Sequence, residues 1–185
     1  MNTQVTSHEA ILSQCRQLVM ENGIAGVDMR SVASSCGIAL GSLYNYFPSK
    51  SALIAATVES VWTDIFYGSK QPGPFESFIE AVQWVYQSLH YGSLTYPGFF
   101  TLHSLSFANQ DKQSARQLMQ QHFANIKRDL LDALNQDTHV KADAFDAHFT
   151  PQGLVNLTFY EVIAAILQEE GDISTLHGLL QRALY

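Results

Sequence analysis

From Gly37 to Lys50 the chain reads Gly37-Ile38-Ala39-Leu40-Gly41-Ser42-Leu43-Tyr44-Asn45-Tyr46-Phe47-Pro48-Ser49-Lys50. These residue types in this order suit contact with a nucleic-acid backbone and with base edges. Gly41 lacks a side chain, so backbone there can come close to a phosphate, and the short Ser42 hydroxyl can bond a phosphate or a base edge. Tyr44 and Tyr46 each offer an aromatic body with a hydroxyl donor. Asn45 can pair bidentately with adenine N6 and N7. Lys50 opens a helix, where free amides already favour a phosphate. Leu43 and Phe47, one turn apart, face inward and hold a short helix, roughly 40–47, on a core.

The surrounding pattern supplies the elements that would position such a helix. Thr6-Ser7-His8-Glu9 fits a capping box, with Thr6 as the cap. Ile11, Cys15, Leu18 and Val19 follow as one apolar stripe that Asn22-Gly23 ends. Asp28 caps a second helix, whose stripe is Met29, Val32, Ala33 and Cys36 and which Gly37 closes. Pro48 limits the third helix, since the residue before proline is pushed out of helical geometry. Ser49 caps a fourth, carrying Leu53, Ile54, Val58, Val61, Trp62 and Ile65 as far as Gly68. At 1.5 Å per residue such a helix spans about 30 Å, which makes it a rigid link.

Beyond Pro72-Gly73-Pro74 the periodicity is again helical. One helix carries Phe75, Phe78, Ile79, Val82, Val85, Tyr86 and Leu89, with Pro74 in its first turn. A short apolar stretch runs from Phe99 to Ala108, and a long helix follows from about Asp111 to Asn135. The polar segment Gln136–His148 reads as a loop. Thr150-Pro151 opens a helix to about Gln168 that is apolar on more than one face, and a last helix runs from about Ile173 to Leu184. No segment alternates with period two, so the expected fold is all-α.

Composition bounds the function. With 46% hydrophobic and 15% charged residues the chain should fold rather than stay disordered. No apolar run reaches membrane-span length and the N-terminus has no signal-peptide pattern, so no membrane is expected and the expected location is cytoplasmic. Cys15 and Cys36 read as small core residues, with a redox pairing as the alternative. A net charge of −7 argues against coating nucleic acid through bulk electrostatics. In residues 1–60 the three basic side chains Arg16, Arg30 and Lys50 face the four acidic ones Glu9, Glu21, Asp28 and Glu59. Any DNA binding must rest on a few placed contacts.

Helix two, the turn at Gly37 and helix three form a helix-turn-helix, a weak signal by itself. The combination Val32-Ala33, Gly37-Ile38, Gly41-Ser42-Leu43-Tyr44, Tyr46-Phe47, Lys50 and Leu53 is more specific. Over residues 4–64 it resembles the DNA-binding domain of the tetracycline-repressor-like (TetR-type) transcriptional regulators. The resemblance implies backbone contacts from Ser42, Tyr44, Tyr46 and Lys50, and base contacts from Arg30, Leu40, Tyr44 and Asn45. Two positions depart from the family. Ala39 stands where serine or threonine is common, so a side-chain N-cap worth about 1 kcal/mol is missing from the recognition helix. Leu40 stands where a polar or basic residue is common, and it offers only apolar contact, for example to a thymine methyl.

By the same resemblance, residues 65–185 form a helical effector-binding and dimerisation domain. An apolar cavity with a few polar groups is the expected form of the effector site. The candidate lining is Trp84, Tyr91, Phe100, His103, Phe107, Phe123 and Tyr160, which implies an apolar or aromatic ligand. The last two helices carry more apolar surface than one bundle face needs. Leu154, Leu157, Val162, Ile166, Ile173, Leu176 and Leu180 are the candidate interface of a twofold homodimer. Such a dimer sets two recognition helices about one DNA turn, roughly 34 Å, or a small multiple apart.

Three function classes follow. The leading one is a dimeric regulator, a repressor that binds double-stranded operator DNA and is released by a small effector. The second is a protein of the same fold that has lost DNA recognition and acts by binding another protein. An enzyme is not expected, because no nucleophile-base pair, phosphate loop or metal motif appears; neither a metal nor a cofactor is expected.

Overall fold

The structure, a computed structural model, describes residues 7–68, 74–100, 111–168 and 171–185, with side chains except at 111–117. Every regular element among the described residues is helical, as the absence of period-two alternation implies. The described residues within Met1–Ser69 and Gly92–Leu118 form one compact unit, and those within Lys70–Tyr91 and Met119–Tyr185 form another.

The first unit begins with α1 (His8–Asn22) and a 3₁₀ turn at Ile24–Gly26, followed by α2 (Met29–Ser35), α3 (Leu40–Tyr44) and α4 (Lys50–Tyr67). The α1 cap is Ser7, whose hydroxyl accepts from the amide of Ala10 at 3.0 Å. Thr6, the expected cap, lies outside the described residues. Asp28 caps α2 as expected and does so reciprocally: its carboxylate accepts from the amides of Arg30 (2.8 Å) and Ser31 (3.0 Å), while the Ser31 hydroxyl accepts from the amide of Asp28.

At the end of α2, Gly37 adopts φ 64°, a left-handed conformation that a side chain would penalise. Its amide bonds the Ser34 carbonyl, and the amide of Ile38 bonds that of Ala33. This Schellman closure turns the chain sharply into α3. Ser49 caps α4 through the amide of Ala52 at 3.1 Å.

The core of this unit comes from the expected stripes. Ile11, Cys15, Val19, Val32, Ala33, Leu43, Phe47, Leu53, Val61 and Trp62 are all buried. Each such Leu, Ile or Val contributes about 1.5–3 kcal/mol by leaving water. Burial pushes the Cys15 thiol up to about 11, which fits a core residue, and Cys36 is half-buried at the α2 cap.

The second unit takes the first residues of α5 (Phe78–Thr95), the later part of α6 (Asp111–Gln136), α7 (Pro151–Leu167) and α8 (Ser174–Leu184). Pro74 is not in the first turn of α5, contrary to the sequence reading. The helix starts at Phe78 because the Ser77 hydroxyl accepts from the amide of Glu80 at 3.2 Å, a capping function proline lacks. Thr150 caps α7 with Pro151 at its first position, as expected. Phe78, Val82, Leu89, Ile126, Leu130, Leu134, Val155, Phe159, Val162, Leu180 and Leu184 form the core of this unit.

A polar seam closes the second unit. The Asp137 carboxylate accepts from the amides of Phe78 (2.8 Å) and His139 (2.9 Å) and from the Tyr185 hydroxyl. Burial alone would raise its carboxyl, but the Tyr185 hydroxyl and the two amides outweigh it and hold the group below the usual carboxylate range. The same contact, with burial as the larger cause, pushes the Tyr185 hydroxyl up to about 12. The Lys141 ammonium and amide reach the carbonyls of Arg182 (3.0 Å) and Leu184 (2.9 Å), so the 137–141 turn is fastened to α8.

Candidate nucleic-acid interface

The segment that carries the expected DNA contacts is a short helix pinned from one side. Leu43 is fully buried and Phe47 is nearly so. Regular α-helix ends at Tyr44, three residues before the expected limit. Asn45 and Tyr46 continue with tighter bonds to the carbonyls of Ser42 and Leu43, and the amide of Phe47 returns to Leu43 at 3.0 Å. Pro48 accounts for the early tightening, since it can neither donate a further bond nor follow a regular helical residue without clash. At the start of α3, Ala39 is extended and makes no side-chain cap bond.

The residues expected to meet DNA stay outside this core. Leu40 (37% exposed), Tyr44 (48%) and Tyr46 (37%) keep large surfaces in solvent, against the tendency of such side chains to bury. Ser42, Asn45, Arg30 and Lys50 are exposed as well. A Cβ built on Gly41 would meet nothing within 4 Å, so packing within the chain does not require glycine there. Arg30 lies in the first turn of α2 and Lys50 in the first turn of α4. The amides of Ser31 and then Arg30 hold the Asp28 carboxyl below its usual range, and the Lys50 ammonium acts in the same direction.

Contacts at the segment and along α4 escaped the sequence reading. The His8 ring lies 4.7 Å from that of Phe47. The Arg16 guanidinium, mostly buried, donates to the Ser60 hydroxyl, which ties α1 to α4, and pairs with Glu9 of its own helix at 3.2 Å. A groove of about 540 Å³ runs along these two helices, with Leu12 and Ala56 beside Glu9, Arg16 and Glu59. Further along α4, Asp64 accepts from the Tyr96 hydroxyl at 2.8 Å. The positions 8, 12 and 16 share a helical face, but nothing in their spacing names a partner on α4.

The candidate effector residues are distributed over both units. Phe100 lies in the first, with its ring 5.8 Å from Trp62 and 5.5 Å from Phe99. Trp84, Tyr91, Phe123 and Tyr160 lie in the second. There Phe123 meets Phe159 at 5.0 Å, Phe159 meets Tyr160 at 5.8 Å, and the Lys127 ammonium stands 5.7 Å from the Tyr160 ring centre. Trp84 pairs instead with Phe75, and Tyr91 is 47% exposed. His103 and Phe107 lie outside the described residues. The Thr158 hydroxyl and the His177 Nε2 in this unit are buried without a hydrogen-bond partner among the described residues.

Of the candidate dimer residues, Leu154, Val162, Ile173, Leu176 and Leu180 are buried within their own chain, so their apolar surface is already covered. Ile166 is half-buried. Leu157 is 66% exposed, and Tyr160, Leu167 and Leu179 are exposed with it, a set that sequence periodicity did not separate from the core.

A family model described as bacterial regulatory proteins, tetR family, matches residues 11–57. The HTH-type transcriptional regulator UidR of Escherichia coli is 42% identical over 48 residues, 26% of this chain and 24% of that protein. The HTH-type transcriptional repressor KstR of Rhodococcus jostii is 32% identical over 84 residues, 45% of this chain and 39% of that one. The matched parts therefore span well under half the length of these relatives. The solved structure of TetR from Acinetobacter baumannii AYE aligns with a TM-score of 0.54 at 15% identity, covering 96% of this chain and 86% of that one. A variant of it in complex with minocycline aligns with a TM-score of 0.57, also at 15% identity, covering 98% and 99%. Residues 11–57 are thus similar to the tetR family of bacterial regulatory proteins, and the chain shares an all-helical fold with solved TetR structures.

Proposed function

We propose that the protein is a dimeric DNA-binding transcriptional regulator, a repressor released by a small, largely apolar or aromatic effector. The observation that carries this reading is the recognition segment. Leu40, Ser42, Tyr44, Asn45 and Tyr46 remain exposed around a helix that Leu43 and Phe47 anchor, within the stretch that matches the tetR family model. Arg30 and Lys50 supply the cations and Gly41 the open backbone. With a chain charge of −7, affinity must come from these few contacts and fall steeply with salt.

The finer parts rest on separate supports. KstR is named a repressor, and the minocycline complex shows that one protein of this fold takes a small molecule. Within the second unit Phe123 remains an effector candidate, and the Thr158 hydroxyl and His177 Nε2, without a partner among the described residues, offer polar groups that a ligand would satisfy. Exposed Leu157, Tyr160, Leu167 and Leu179 give α7 and α8 an apolar surface for a second copy. Effector binding must differ in free energy between DNA-competent and DNA-incompetent states, and DNA must weaken the effector by the same factor.

The uncapped Ala39 and the apolar Leu40 favour a second reading, in which the domain has lost DNA recognition and binds another protein. Selection of duplexes from a random-sequence pool with the full chain, followed by affinity measurement at several salt concentrations, separates the two. A selected duplex whose binding weakens steeply with salt supports the regulator. A pool with no bound member at low salt supports the second reading.

A further inference from the structure

The first turn of α3 carries no side chain that can hydrogen-bond. Ala39, Leu40 and Gly41 are all exposed, and Ser42 is the first residue of the helix with a polar side chain. Leu40 keeps 37% of its surface in solvent, although Leu43 in the same short helix is fully buried. Tyr44, one turn on from Leu40 and 48% exposed, stands on the same face. A Cβ on Gly41 would meet nothing within 4 Å, so no more distant part of the described chain covers the backbone beside Leu40.

In a helix-turn-helix the second helix enters the major groove and its first residues meet base edges. Every base pair offers donors or acceptors there, but the groove presents one kind of apolar group, the C5-methyl of thymine. A leucine satisfies neither a donor nor an acceptor, and covering either without replacing its bond to water is unfavourable. The favourable partner for an exposed Leu40 on a base edge is therefore a methyl.

We propose that Leu40 is a specificity-determining residue that reads a pyrimidine C5-methyl, with the Ala39 methyl before it and the Tyr44 ring one turn on. The proposal rests on the regulator reading above and adds the chemical group that the reading head selects. Thymine carries that methyl, and so does 5-methylcytosine, whereas uracil and cytosine carry a hydrogen in its place. At this position the head discriminates by a methyl and not by a hydrogen bond. Methylation of a cytosine placed there therefore strengthens binding.

The probe is a duplex that the full chain selects from a random pool, with each thymine replaced in turn by deoxyuridine, which removes the methyl and keeps every hydrogen-bonding group. In the native chain, replacement at one thymine of a half-site should weaken binding about fourfold, the scale of one methyl-sized group returned to water. Leu40→Ala should bind the thymine and uracil duplexes alike at that position. With cytosine placed there opposite guanine, 5-methylcytosine should bind about fourfold more tightly than cytosine to the native chain, and no more tightly to Leu40→Ala. Salt of about 50 mM keeps the variant in the measurable range through its phosphate contacts. Because Leu40 is exposed, the variant should also keep the native melting temperature. A native chain indifferent to uracil at every thymine, no gain from 5-methylcytosine, or a set of uracil penalties unchanged in Leu40→Ala would overturn the proposal while leaving the regulator reading intact. Failure to select any duplex would overturn both.

Discussion

The His8 ring at the start of α1 packs at a tilt against that of Phe47, with 4.7 Å between centroids and 38° between planes. The first turn of the first helix thus covers the side chain that closes the recognition segment. Such pairs contribute about 0.5–1.5 kcal/mol beyond burial. His8→Ala should lower stability by that amount in urea denaturation and weaken duplex binding several-fold, because Phe47 also fixes Tyr46 beside it. His8→Phe should restore both. Unchanged stability and affinity in His8→Ala would show that Leu43 alone sets the segment.

Ala39 is extended (φ −65°, ψ 143°) at the α3 N-cap position, a geometry that already suits a capping side chain. Ala39→Ser should therefore stabilise the chain by about 1 kcal/mol, within a range of about 0.5–2. The urea midpoint reports it. A lower midpoint would mean that the serine hydroxyl finds another partner and pulls α3 out of place.

The Asp137 carboxyl lies below its ordinary range in the folded chain. Its contribution is therefore present above the unfolded carboxyl value, about 4, and is lost as pH falls through the lowered folded value. Tyr185, pushed up to about 12, acts at the other end: its contribution holds below the ordinary tyrosine range and fades as pH rises through about 12. Asp137→Asn should cost about 1–3 kcal/mol near pH 7, as one acceptor for two amides and a hydroxyl is weakened. In acid the variant and the native chain should converge. A gap that persists undiminished at low pH would contradict this assignment.

Leu154 and Leu157 separate folding from the proposed association. Leu154 is 6% exposed and Leu157 66%. Leu154→Ala should cost about 2–5 kcal/mol of stability, the range for truncating a buried leucine. If the proposed dimer forms through this surface, Leu157→Glu should leave the melting transition of the monomer nearly unchanged and shift sedimentation equilibrium from dimer to monomer. A Leu157→Glu chain that still sediments as a dimer would place the interface elsewhere.

The sequence disclosed what local chemistry dictates. Asp28, Gly37, Ser49 and Thr150 mark helix ends through their own side chains or through the lack of one, so they were readable directly. Leu43 and Phe47 declared themselves by one-turn spacing beside a proline. What was hidden depends on two distant segments meeting: His8 on Phe47, Arg16 on Ser60, Tyr96 on Asp64 and Tyr185 on Asp137 pair residues 32 to 48 positions apart. The apolar residues of α7 show the same limit. Its composition exceeds one face, but only packing distinguishes Leu154 from Leu157. Pro74 misled because proline suits a first turn in general, whereas Ser77 could actually cap one.

The recognition segment and Lys50 stand or fall together on one titration. Affinity of the full chain for a selected duplex should be measured from about 50 to 200 mM salt, alongside Lys50→Ala. The native chain should lose affinity linearly on a log–log scale, and Lys50→Ala should bind more weakly to every duplex with a slope reduced by about one, the signature of one lost phosphate contact. Binding with the same slope in both, or no binding by the native chain at the lowest salt, would contradict a DNA-reading role for this domain.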